Sequence, residues 1–266
     1  MLKINVPEPS QWTSNTEIDR IALEYNLLYR SECSDKQGFP VDVEHFADAV
    51  LKVSVEQNFF DAPQGAVALA RCKPDPRDSS NFVIEFNEAH QKHFEEKPLA
   101  RRTVGSHEVG HIALKHHDKL GNNQSGFLFD DIKPDPKFLH KTEWNHHGFS
   151  ADELKHLCEM ALNGNDRVRK FLAGLDEHFE ERWMFWQAEH FALCFMIPKD
   201  RVFDALNSGF DATNWRAIYS LGEEFEVPGS MMVNRLKKLN AIEIHDKKIV
   251  LGGLLRQKNL IGETLR

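Results

Sequence analysis

His107-Glu108-Val109-Gly110-His111 lies inside a stretch, Pro98 to His117, whose apolar residues keep helical spacing. Helical residues advance about 100° each, so side chains four apart are separated by only about 40°. His107 and His111 therefore face the same way, one turn apart. Two imidazoles so placed can hold one Zn2+ at about 2.0–2.1 Å. Glu108 stands at the edge of that face. It is badly placed to ligate as well, but it can reach a water on the ion, which is where a metallopeptidase needs its general base. Leu99, Thr103 and Val104 before the motif, and Ala113 and Leu114 after it, supply the apolar side of the helix.

A catalytic zinc ion needs a third protein ligand. His117 stands ten residues after His107, the spacing at which a glycine bend presents a third His, but Leu114 occupies the glycine position. A helix continued through Leu114 carries His117 about 15 Å along the axis and off the face. His116 is set aside on similar geometry. A second helix packed on the first is the other source. The stretch Asp176 to Ile197 is helical, stopped by Pro198. Its Ala188, Phe191, Ala192 and Phe195 make a small-and-aromatic stripe suited to close packing, with the carboxylates of Glu181 and Glu189 on the inner side.

Around these two helices the chain is ordinary in composition. It has 266 residues, 41% of them apolar, with 33 Lys and Arg against 41 Asp and Glu. A net charge of −8 makes it a poor non-specific nucleic-acid binder. No run approaches the roughly 18 apolar residues of a membrane helix, and MLKINVPEPS at the start lacks the apolar stretch of a signal peptide. Cys33, Cys72, Cys158 and Cys194 form no C-x-x-C pair and read as reduced, buried thiols. The expectation is a cytoplasmic protein with no membrane association.

Before the motif, a capping box of Ser14 and Glu17 opens a helix to about Tyr29, with Ile18, Ile21, Ala22, Tyr25, Leu28 and Tyr29 as a buried stripe. Asp42 caps a short helix through Leu51. Strand-like runs at 52–57, 65–70 and 81–87 suggest a small, mostly antiparallel sheet. After the motif, GNNQSG and KPDPKF read as loop, and Trp144 to Gly148 as a solvated loop or a lid. A helix runs from Ser150 to about Leu162, ending at Asn163-Gly164. Toward the C-terminus come helices over about 212–225 and 230–239, then a hairpin flanking His245-Asp246-Lys247. That is the outline of a winged helix-turn-helix. Arg235, Lys237 and Lys238 on its second helix raise DNA binding, but three basic residues on one helix read more readily as a solvated face.

Several of these strings together resemble the ImmA/IrrE family of zinc metallopeptidases. They are Pro40-Val41-Asp42-Val43, Arg101-Arg102-Thr103 leading into the His-Glu motif, and Gln187-Ala188-Glu189-His190-Phe191-Ala192 followed by Met196-Ile197-Pro198. The last pair is similar to the family's Ala-Asn-x-Phe-Ala…Leu-Met-Pro signature. The segment ending Arg235-Leu236-Lys237-Lys238-Leu239 is similar as well. The resemblance covers about residues 15–115 and 180–242. It implies an α+β, gluzincin-like zinc-peptidase core, mostly helical, over residues 1–205, with an insertion at about 118–175. A helix-turn-helix-like C-terminal domain would follow over 206–266. It implies an endopeptidase of narrow specificity, with His107 and His111 on zinc and Glu108 as general base. Its substrate would be a protein, a helix-turn-helix transcriptional repressor whose cleavage releases a phage, mobile-element or stress-response programme.

One position departs from the pattern. The family's third ligand, a Glu three residues before the signature Ala, is here Phe185, and its Asn or Asp one turn later is Glu189. Positions 185 and 189 share a helix face, so the longer Glu189 is the preferred third ligand. Glu181, or a His or Asp of the insertion, is the alternative. Two His and a carboxylate also suit Mn2+. The other reading is a protein that kept the peptidase scaffold, lost the chemistry, and binds a repressor or toxin partner without cutting it. No second donor to the oxyanion stands out; Tyr219 is noted only because its segment follows the site, and it reads more readily as a core residue.

Overall fold

The structure is a computed structural model and describes residues 13–32, 39–61, 68–116, 151–174, 179–246 and 248–254. Its first helix, α1 (Asn15–Glu32), starts at the expected cap, with the Glu17 amide donating to Ser14 Oγ at 3.3 Å. Ile18, Ile21, Ala22 and Tyr29 are buried, as their spacing predicts, while Tyr25 and Leu28 of the same stripe are only half-buried. α2 (Val43–Ala49) is capped by Asp42, which accepts from the His45 amide.

The sheet is where expectation and structure part. β1 (Ser54–Asn58), β2 (Ala70–Asp75) and β3 (Asp78–Asn87) lie in the order β1-β3-β2. β3 pairs antiparallel with β2 but parallel with β1, so the sheet is mixed and not mostly antiparallel. β2 is also displaced from the expected 65–70. The tight turn at 76–77 makes β2 and β3 a hairpin, which leaves β1 only the far side of β3. Pro74 sits in β2, an edge strand, where a missing N–H does least harm.

After a 3-10 turn (Glu88–His90) and α3 (Gln91–Glu96) comes the motif helix, α4 (Pro98–Ala113). α5 (Ala151–Leu162) and α6 (Asp166–Ala173) follow; Gly164, at φ 92, makes the turn between them. The loop and lid segments expected at 118–150 lie outside the described residues. α7 (Phe179–Met196) is the long second helix. α8 (Lys199–Asn207), α9 (Trp215–Glu224), α10 (Gly229–Lys238) and a hairpin of β4 (Ile242–His245) and β5 (Lys248–Leu251) follow. Over the described residues the result is mostly helical with two small sheets, an α+β class. Among the described residues no helix is long and apolar enough to cross a membrane.

Three apolar clusters adjoin α7, one of them through Trp183 with α5 and α6. Phe191, Cys194 and Phe195 join the first, with α1, α2, the sheet and α4. Leu193, Met196 and Ile197 join the second, with α8 to β4. Cys72, Cys158 and Cys194 are buried free thiols, as expected.

The small-residue stripe on α7 does what its composition suggests: Ala188 lies against Gly110. A Cβ added at Gly110 would stand 2.8 Å from the Ala188 carbonyl oxygen and 3.0 Å from its Cα. Backbone cannot swing aside, so Gly110→Ala must force the helices apart. Alanine favours a helix over glycine by about 1 kcal/mol, but overpacking of this kind costs about 1–3 kcal/mol. A lowered denaturation midpoint is expected; an unchanged or raised one would show that the two helices give way freely.

Candidate metal centre

α4 brings the two motif histidines together. Their Nε2 atoms are 2.9 Å apart and both rings are buried. Two nitrogens that close can each lie about 2.0–2.1 Å from one ion. Burial pushes the His107 imidazole down to about 3, so the ring is neutral at physiological pH, the state in which an imidazole binds metal.

Glu108 turns toward β2. It is fully buried, and neither carboxyl oxygen has a hydrogen-bond partner. Burial pushes its carboxyl up to about 8; the Cys72 backbone amide pulls the other way without making a hydrogen bond of normal geometry. A buried carboxyl without a partner is costly. A cation with its water beside His107 and His111 is the kind of neighbour that would relieve it. The convergent imidazoles fit a divalent ion bound at this face.

The third ligand is another matter. Phe185 packs against His107, with ring centroids 4.8 Å apart. Glu189, one turn later, is partly buried. Burial pushes its carboxyl up to about 7, with Lys238 pulling it back. Among the described residues, no three His, Cys, Asp or Glu side chains form a group that could hold a metal ion. The structure thus brings His107 and His111 together, with Glu108 on the same helix but turned toward β2, and does not bring Glu189 into a ligand set with them. The Glu181 side chain and His117 lie outside what is described.

His116 is the residue that sequence reasoning misplaced. The expected helix through His117 instead ends at Ala113. Lys115 then takes a left-handed φ of 53 and turns the chain back. His116, fully buried, comes to rest with its Nδ1 2.9 Å from His111 Nδ1 and its Nε2 3.1 Å from Gln187 Oε1. It meets the far nitrogen of His111, not the metal face. Lysine carries no mark of a reversal, so nothing at Leu114 or Lys115 signalled it.

The C-terminal helices fall where the sequence places them, but the basic face does not. Arg235 is buried and donates to Asp19 and to the Ile197 carbonyl. Lys238 Nζ lies 3.0 Å from His190 Nδ1. Arg235 therefore holds α10 to its own protein rather than joining a solvated face, whereas Lys237 and Lys238 are exposed, Lys238 reaching back to His190. The reason is helical spacing: Arg235 lies beside Met232 and Leu236 on the stripe that packs inward. Tyr219 stacks on Trp215 and covers Gly229, half exposed, so it is not a core residue. Compared with known proteins, the chain matches no family model and no curated protein.

Proposed function

We propose that this chain is a zinc-dependent endopeptidase of narrow specificity, of the ImmA/IrrE type, acting on a helix-turn-helix repressor. The observation that carries the reading is the pair of buried imidazoles whose Nε2 atoms converge to 2.9 Å, on a helix whose next residue, Glu108, is a buried carboxyl with no hydrogen-bond partner. Zinc, when bound by His107 and His111, supplies a Lewis acid that acidifies water and polarises the scissile carbonyl. Glu108 takes the proton of the attacking water and delivers it to the departing amine. The substrate class comes from the resemblance alone.

Glu189 is proposed as the third ligand, since it lies one turn from Phe185, the residue on His107. The experiment is metal content of the purified chain by mass spectrometry, beside Glu189→Ala. About one zinc per chain, lost in the variant, is expected. Zinc retained in the variant assigns the third ligand elsewhere.

A second reading has its own observation. The Phe185 ring occupies the neighbourhood of His107, and no third donor joins the pair among the described residues. On that reading the chain binds a repressor or toxin partner without cutting it, and wild type takes up no metal even when zinc is supplied.

A further inference from the structure

We propose that the Thr13 carbonyl, Gln187 and His116 form a hydrogen-bond relay that decides which nitrogen of His111 carries the lone pair a metal ion needs. Its purpose rests on the metallopeptidase reading; its direction does not. That direction follows from the Thr13 end. A backbone carbonyl only accepts, so Thr13 O, 2.8 Å from Gln187 Nε2, holds the amide with its NH2 outward and Oε1 toward His116. Oε1 also only accepts, so His116 Nε2, 3.1 Å away, carries the hydrogen.

A neutral imidazole has one N–H, and a second proton on a fully buried ring would be a costly charge. His116 Nδ1 is therefore an acceptor. His111 Nδ1, 2.9 Å from it, must donate. The lone pair of His111 is thereby left on Nε2, the atom that stands 2.9 Å from His107 Nε2. The relay fixes both the ring's tautomer and its rotation, and a hydrogen bond on the far nitrogen strengthens an imidazole as a ligand. His116 and Gln187 are positioning residues: they act through His111.

The relay spans three separate pieces of chain. Thr13 precedes α1, Gln187 sits on α7, and His116 follows the reversal at Lys115. A side chain that merely fills space needs no such consistent run of donors and acceptors. Gln187 and His116 are both buried, with every link within hydrogen-bond distance.

The test uses the full chain and zinc alone. Zinc affinity is measured by competition with a chromophoric chelator for wild type, His116→Gln, His116→Met and Gln187→Met. The two methionine variants fill space without relaying hydrogens and should bind about 10–100-fold more weakly. His116→Gln offers an acceptor and a donor and should stay near wild type. Nitrogen NMR of the metal-free wild type should show His111 as the Nδ1–H tautomer. Methionine variants that keep wild-type affinity, or His111 found as the Nε2–H tautomer, overturn the relay. Should the methionine variants fail to fold, the wild-type tautomer decides. A wild type that binds no zinc yet shows the Nδ1–H tautomer sinks the metallopeptidase reading and leaves the relay standing.

Discussion

Glu108→Gln is expected to lower peptide cleavage by about 10²–10⁴-fold, the usual contribution of a general base, while zinc uptake stays at the wild-type level. Gln keeps the size of the side chain and removes its ability to take a proton. The same substitution has a second effect that needs no substrate. In the metal-free protein the buried Glu108 carboxyl is raised from 4.5 to about 8. The folded state therefore holds a proton that the unfolded chain has released. Stability from this group is fully present below pH 4.5 and is lost as pH rises toward 8. At 1.36 kcal/mol per pH unit, that loss is at most about 5 kcal/mol. Gln is neutral in both states and loses nothing. Denaturant midpoints in the presence of a chelator should thus be close at pH 5, and at pH 9 the variant should be the more stable. Parallel midpoints across that range would show that Glu108 is already satisfied without a metal. Undiminished cleavage by the variant would remove Glu108 from the chemistry.

How much of this was legible beforehand differs from one contact to the next. Ser14, Asp42 and the 3.6-residue periodicity mark α1, α2, α4 and α7 because caps and stripes are local properties. The close fit of Ala188 on Gly110 was also readable, since small residues on one face invite a close neighbour. The parallel partner of β1 was not: pairing depends on which edge of β3 stays free once the hairpin closes, a question no single strand answers. At the candidate site, the 107/111 pairing follows from four-residue spacing alone. His116 was hidden because its place depends on a left-handed Lys115, and lysine does not advertise that conformation. Its partner Gln187 was in view, inside the signature string, but a glutamine on a helix face says nothing of what it bonds. Arg235 was readable and was misjudged: with Met232 and Leu236 at three- and one-residue spacing, it sits on the inward stripe, where a cation must bring its partner with it.

That partner makes the largest stability prediction. Arg235 on α10 is about 1% exposed and donates to three acceptors: Asp19 Oδ1 on α1 at 2.6 Å, the Ile197 carbonyl at 2.9 Å and Cys194 Sγ on α7 at 3.2 Å. Burial works against the guanidinium, but Cys194 and Asp19 more than offset it, and its pKa ends above the ordinary value. The residue ties the C-terminal helices to the two longest helices of the N-terminal part. Removing one partner of a buried ion pair leaves the other uncompensated, at about 3–5 kcal/mol. Arg235→Ala should lower stability by that amount and reduce the thermal midpoint by roughly 10 °C. Part of the loss is volume, so Arg235→Met, which keeps the bulk, should cost less. In a double-mutant cycle, Arg235→Met and Asp19→Asn should couple by about 1 kcal/mol or more. Additive losses would mean that Arg235 acts through packing and the Ile197 carbonyl, with Asp19 a bystander. Lys237→Ala, on the exposed side of the same helix, should leave the midpoint within about 0.5 kcal/mol of wild type. That contrast separates an inward cation from a solvated one on a single turn of helix.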